Sequence, residues 1–295
     1  MKYVITGSLG HISKPIAVAL VNAGHETIVI TSNHNKLKEI ESIGAKAAVG
    51  SVEDPDFIGR AFANANAVYL MIPPNFASTG WREYQNKVAD IYVNALRTNN
   101  IHHAVVLSSV GAHMGNGAGP VDGLADLEKK LSALQNLHVK ILRPSYFYYN
   151  LFGMIPLMKN MNIMGSNFGN TEEKLILTDT GDIADAAIEE LLSLNFKGQS
   201  IRYIASDERH PNEIAEVLSK SVGKSAPWVS FSDEQALGGM VQAGLPQSIA
   251  EGYVTMGKGI REGRVQEHYW QNRPSKLGKI KLEDFAKQFA AAYDN

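Results

Sequence analysis

The sequence predicts an α/β fold with a doubly wound parallel sheet and a smaller, mostly helical C-terminal lobe. Three observations carry that prediction. The chain opens with a strand that runs through glycines into a helix, five β/α alternations follow one another before residue 150, and the strand ends carry glycine-rich or polar motifs. Sustained alternation builds a parallel sheet with helices on both faces. Ligands then bind at the carboxyl ends of the strands, near the switch in strand order.

The opening stretch, Lys2 to Ala23, reads as a buried strand (Tyr3, Val4, Ile5), a turn (Thr6, Gly7, Ser8, Leu9, Gly10, His11, Ile12, Ser13) and a helix with apolar residues at Ile12, Ile16, Ala19, Leu20 and Ala23. Such a turn leaves backbone N–H groups and the positive end of a helix dipole aimed at one point, which suits an anion, most often a dinucleotide pyrophosphate. The spacing is G-x-x-G-x-x-S. Gly7 is expected to make the tight turn, Gly10 to let the backbone approach phosphate, and Ser13 to stand in for the third glycine. Two glycines also suit a plain tight turn, so the residues that follow decide the matter.

The second strand, Glu26 to Thr31, completes a βαβ unit and ends in Thr31-Ser32-Asn33-His34-Asn35-Lys36. An acidic residue at that end would accept bonds from the adenosine ribose and repel a 2′-phosphate; none is present. Ser32 and Asn33 are expected to donate to phosphate oxygens and Lys36 to neutralise charge, so NADP(H) is preferred over NAD(H). A solvated Lys36 in the next helix is the competing reading.

The alternation continues with a helix from Leu37 to Ile43, a strand from Ala45 to Gly50 and a helix capped by Asp54 with Pro55 at its first position. Ser51 and Val52 are expected beside the adenine. A strand from Ala67 to Ile72 stops at Pro73-Pro74, beside the glycine turn, and a helix follows from Thr79 to Arg97. The fifth strand, His103 to Ser108, leads into the glycine-rich loop of residues 111–120 and a helix from Val121 to Leu134. The sixth strand, His138 to Leu142, ends in Arg143-Pro144-Ser145-Tyr146-Phe147-Tyr148-Tyr149.

Beyond it, the sequence predicts a short strand from Lys174 to Leu177, a helix opened by Asp179 and Asp182, a strand over residues 199–204 and four C-terminal helices. Residues 1–150 are read as a Rossmann NAD(P)-binding domain with 174–204 returning to its sheet; 151–173 and 205–295 form the smaller lobe.

With 295 residues, 44% hydrophobic and 20% charged, the composition is that of an ordinary globular protein. A net charge of −2 gives no basic excess and so no case for a nucleic-acid partner. The absence of cysteine removes disulfides, thiolate nucleophiles and cysteine metal sites, and no His, Asp or Glu spacing suggests a metal. No apolar run reaches the roughly 18 residues of a membrane span, and the first strand begins at once, so a soluble cytoplasmic protein is expected.

The pieces TGSLGHIS, PP after the fourth strand, LSSVGA, LRPSYFYYN and TDTGDIADAA, in that order, resemble the NmrA-like atypical short-chain dehydrogenase/reductase family, in particular its quinone oxidoreductase and triphenylmethane reductase branch. The resemblance spans nearly the whole chain. It implies an NADP-type Rossmann domain and a small substrate lobe with the substrate cleft between the two; the function read with it is an NADP(H)-dependent reductase that passes hydride to a quinone or similar small conjugated acceptor. Ser108 and Ser109, at the end of the fifth strand, are expected within reach of the nicotinamide or substrate, and Ile72, Pro144 and Phe147 complete the expected cofactor contacts. The family also contains non-catalytic redox sensors that act through a protein partner, which is the alternative reading, and a homodimer is an option the sequence leaves open.

Two departures stand out. The Tyr-x-x-x-Lys pair of short-chain dehydrogenases at large is absent, and Ser32 stands where NADP-type relatives often carry arginine. A missing general acid favours an extended conjugated acceptor, which takes hydride without a donor close by. Ser109, His113 and Tyr148 are the candidate catalytic residues, with strand-end capping, a solvated loop and core packing as their competing roles. Arg143 is expected to anchor a loop carboxylate or backbone.

Overall fold

The computed structural model describes residues 1–78, 80–169 and 174–294. Thr79, expected to open the fourth helix, and residues 170–173 of the expected smaller lobe lie outside the described residues. The chain divides into two compact units. One comprises Met1–Ser109, Gly123–Arg143 and Ile183–Arg202; the other comprises Val110–Asp122, Pro144–Asp182 and Tyr203–Asn295.

The first unit is built from β1 (Lys2–Ile5), α1 (Ser13–Asn22), β2 (Glu26–Thr31), α2 (Leu37–Ser42), β3 (Lys46–Val49), α3 (Pro55–Ala61), β4 (Ala67–Leu70), α4 (Trp81–Thr98), β5 (His103–Leu107), α5 (Asp122–Ser132) and β6 (His138–Pro144). Their pairings, β3 with β2, β2 with β1, β1 with β4, β4 with β5 and β5 with β6, are all parallel. The strand order reverses at β1, where β2 and β4 flank it, so the doubly wound Rossmann topology expected from the alternation is present.

Apolar strand residues explain the burial. Val4, Ile30, Val68, Leu70, Val106 and Ile141 pack in one core with Ile58, Val88, Tyr92, Leu96 and Leu127 from the helices and with Phe62 just past α3. A parallel strand covered on both faces is apolar throughout, and all four residues of β4 are buried.

The second unit holds β7 (Tyr146–Phe147), α6 (Ile155–Met161), β8 (Met164–Ser166), β9 (Leu175–Thr178), the start of α7 (Thr180–Ser193), β11 (Asp207–Arg209), α8 (Pro211–Ser221), β12 (Trp228–Ser230), α9 (Asp233–Gln242), α10 (Gln247–Arg261), α11 (Glu267–Gln271) and α12 (Leu282–Asp294). The remainder of α7 lies in the first unit, and β10 (Gln199–Ile204) begins there. Besides its helices, the second unit carries a three-stranded sheet in the order β11-β9-β7 and a two-stranded one, β12-β8. Tyr148, Phe152, Phe285 and Phe289 stack into its aromatic core.

Two expectations are corrected. Of the segment 174–204, only β10 joins the main sheet, at its β6 edge, whereas β9 sits in the small sheet, parallel to β7 and antiparallel to β11. All four residues of β9 are buried, so its sequence marks a strand without marking its partner. Residues 110–122 and 144–150 group with the second unit rather than the first. The glycine-rich loop explains the former. At Gly119, with φ +61°, an added Cβ would lie 2.0 Å from the Gly252 carbonyl oxygen, so the loop packs backbone to backbone on α10. Among the described residues no helix is long and apolar enough to cross a membrane.

Candidate functional site

The turn after β1 is fixed from both sides. Thr6 is fully buried; its Oγ1 accepts the Met71 N–H at 2.8 Å, and its own N–H donates to Tyr69 O at 3.1 Å. Thr6 thereby ties the turn to the end of β4, so the segment Ile72-Pro73-Pro74 leaves the sheet beside it. Gly7 has φ +90°, and a Cβ there would lie 2.6 Å from Ser13 Oγ. Ser13 in turn donates to Thr6 O at 2.9 Å, so it fills the place of a third glycine with a bonded small side chain. The Gly10 N–H closes the turn on Gly7 O at 3.2 Å. Ser8, which sequence reasoning did not single out, takes φ +56°, donates its N–H to Ile30 O and its hydroxyl to Thr31 Oγ1 at 2.9 Å. The turn is thus fastened to the end of β2 as well. Gly10 and His11 are exposed, Leu9 is half-buried and Ile12 is buried.

The helix that follows has no side-chain cap at its start, although the Lys14 N–H is taken by Gly10 O at 3.0 Å and Pro15 brings no donor. Ile12, at the N-cap, offers no capping side chain, and the first turn of α1 contains no acid. By contrast α3, after the third strand, is closed by its own residues: Asp54 accepts from the Asp56 and Phe57 N–H groups at 3.0 Å, and Pro55 removes a donor. An uncapped helix N-terminus over an exposed glycine turn can hold an anion that the capped one cannot.

At the end of β2, Ser32 and Asn33 are exposed. The Asn33 N–H donates to Thr31 Oγ1, and its side chain accepts from the Asn35 N–H at 2.9 Å, capping a 3-10 turn over His34–Lys36. Lys36 Nζ lies 2.8 Å from Glu39 Oε2, and Lys14 Nζ lies 2.9 Å from the other oxygen of the same carboxylate. The bonds from Lys36 and then Lys14 pull the Glu39 carboxyl down to about 2. Lys14 and Glu39 escaped the sequence reading, although a lysine in the first turn of α1 runs against the helix dipole and was a visible signal.

Ser51 is exposed and its hydroxyl accepts the Glu53 N–H, while Val52 packs on the apolar core. Ile72 is buried, the Pro73 carbonyl accepts from Tyr84 Oη at 3.0 Å, and Pro74 is exposed.

At the ends of β5 and β6 the two serines differ. Ser108 is buried and donates to Glu128 Oε1 at 2.5 Å; Arg143, also buried, holds the same carboxylate through Nε at 3.0 Å and Nη2 at 2.5 Å. Arg143 therefore anchors a helix carboxylate on α5 rather than one on a loop, and the Ser108 hydroxyl is committed to that network. Ser109 follows, half-buried.

The remaining candidates lie in the second unit. His113 stacks on His268 with ring centroids 4.0 Å apart. Tyr148 is 1% exposed, stacks on Phe285 and directs its hydroxyl to Ile280 O at 3.5 Å; burial pushes its phenol well above the ordinary tyrosine range. Its surroundings are those of a core residue. Phe147 pairs with Thr178 in the small sheet, and the Pro144 carbonyl accepts the Val110 N–H at 2.9 Å. Asp182, expected at a helix cap, instead accepts from Ser206 Oγ and the Lys279 N–H, anchoring the segment before α12. Among the described residues no three His, Asp or Glu side chains gather into a metal-binding group.

A Rossmann sheet with an uncapped glycine turn and a second strand whose carboxyl end carries no acid defines a dinucleotide-binding class of protein. The NmrA-like family model matches residues 2–286, and the chain belongs to that family. Among curated proteins it is similar to the NAD(P)H azoreductase of Xenophilus azovorans, 20% identical over 250 residues that make up 84% of this chain and 83% of that one. Two solved structures share the fold. The triphenylmethane reductase of Citrobacter sp., complexed with NADP(H), has a TM-score of 0.80 at 19% identity, covering 97% of this chain and 99% of that one. The NADPH-dependent quinone oxidoreductase QOR2 of Escherichia coli, complexed with NADPH, has a TM-score of 0.82 at 16% identity over the same shares.

Proposed function

We propose that the protein is an NADP(H)-dependent reductase that passes hydride to a quinone or similarly conjugated small molecule. The observation that carries this reading is the uncapped start of α1 over an exposed glycine turn, flanked by a second strand end without an acid and with lysines beside it. The residues fit the cofactor: Gly7 and Gly10 keep the turn free of side chains, backbone donors at the helix start suit a pyrophosphate, and Lys14 and Lys36 suit a 2′-phosphate. The three named relatives, each a reductase of a conjugated compound by its description, support the same reading.

When bound, the dinucleotide supplies the hydride; the chain's own work is to position it and keep its anionic parts neutralised. Ser108, Glu128 and Arg143 hold the ends of β5 and β6 rigid beneath the expected nicotinamide end, and Ser109 is the serine of that pair placed nearer the surface. Because α5 carries no tyrosine and Tyr148 is committed to a core, the acceptor is expected to tolerate hydride addition ahead of proton uptake. That requirement favours quinones and cationic or azo dyes over simple ketones.

Purified protein is expected to oxidise NADPH when offered a panel of quinones, dyes and enones, at rates that saturate with acceptor. Tight NADPH binding without turnover of any acceptor would favour the non-catalytic sensor instead.

A further inference from the structure

One carboxylate lies between the two ammonium groups that a 2′-phosphate would need. Lys14 projects from the first turn of α1, where a cation opposes the helix dipole and costs stability unless something anionic compensates it. Lys36 closes the 3-10 turn after β2. Each gives its Nζ to a different oxygen of Glu39, on α2, at 2.9 and 2.8 Å. The glycine turn that precedes Lys14 is fastened to the end of β2, the strand that leads into the turn carrying Lys36, since Ser8 donates to Ile30 O and to Thr31 Oγ1. Two oxygens of a phosphate are spaced much as the two of a carboxylate, so the lysines that Glu39 bridges can bridge a phosphate in its stead.

We infer that Glu39 is a specificity-determining residue: it occupies Lys14 and Lys36 as a resident counter-anion, must yield them to the 2′-phosphate of NADPH, and remains in place with NADH. The inference rests on the dinucleotide reading above and deepens it. Two ammonium groups and one carboxylate leave a single net positive charge for a phosphate group carrying nearly two negative ones. Displacing Glu39 is feasible because its side chain is 37% exposed and can be hydrated once released. The consequence is a preference for NADPH that is smaller than two unoccupied lysines would give.

The test measures dissociation constants of NADPH and NADH by nucleotide fluorescence for wild type, Glu39→Gln and Lys14→Ala, with a thermal melt confirming that each variant is folded. All three residues are at the surface, and the amide of Glu39→Gln keeps the side chain's size. Wild type is expected to bind NADPH no more than about tenfold tighter than NADH. Glu39→Gln should tighten NADPH by about three- to tenfold and leave NADH within about twofold; Lys14→Ala should weaken NADPH about tenfold and leave NADH unchanged. The widened preference in Glu39→Gln should shrink as salt is raised. If both nucleotides bind but Glu39→Gln leaves their ratio as in wild type, or shifts both equally, the inference is overturned and the dinucleotide reading stands. If wild type binds neither, that reading falls and the inference with it.

Discussion

Glu39 holds Lys14 and Lys36 together, one ammonium on each carboxylate oxygen. A glutamate at the third position of a short helix is commonplace, and its partner Lys14 lies 25 residues earlier. Only the parallel pairing of β1 with β2, which sets the starts of α1 and α2 side by side, brings them together. Asp54 was legible for the opposite reason: its cap bonds run to residues two and three further on. The depressed Glu39 carboxyl has a direct readout. Its folded value of about 2 lies below the ordinary 4.5, so the contribution of the double bridge is complete above about pH 4.5 and is lost as pH falls through 2. The carboxyl carbon of Glu39 should therefore titrate in NMR near 2 in wild type, and its midpoint should rise toward 4.5 when Lys36 and Lys14 are replaced by alanine. Across neutral pH Glu39 stays charged, so pH alone does not release the lysines.

At the scale of elements, most strands and helices were legible because apolar periodicity and caps are local. Their bounds shifted by no more than three residues, and those of β2 and β10 not at all. What was not legible was partnership. The sequence marks β9 as a buried strand, but its edges are filled by β7 and β11, two- and three-residue strands too short to show a period. Glu128 was likewise unread, since nothing local tells a buried glutamate on α5 from a solvated one. Its bond to Arg143 joins α5 to β6, and its bond to Ser108 joins α5 to the segment just past β5. Both ions of this pair are nearly fully buried, at 5% and 8% exposure, so removing one strands the other in a dry environment. Glu128→Ala should cost about 3–5 kcal/mol in denaturant unfolding, while replacing Glu128 and Arg143 together by methionine should cost far less. Equal losses would mean that the pair is not a coupled unit.

For the molecule as a whole, the fold class and the family were both within reach of the sequence. The uncapped start of α1, the acid-free end of β2 and the strand order that reverses at β1 all support the dinucleotide site proposed above. The chemistry after binding was less legible. The general acid of a familiar pair is missing from α5, and of the candidates offered in its place Tyr148 is a core residue and His113 stacks on His268. Hydride transfer without concerted protonation is the chemistry this arrangement leaves room for, which is why we propose a conjugated acceptor. The most direct test supplies NADPH deuterated at the transferable C4 position together with a quinone or dye and follows the label by mass spectrometry and the rate by absorbance. Acceptor-dependent oxidation is expected to be slowed by the deuterium, and with a dye that accepts hydride at carbon the label is expected in the product. Stoichiometric NADPH binding with no acceptor-dependent oxidation and no label transfer would contradict the proposed hydride transfer.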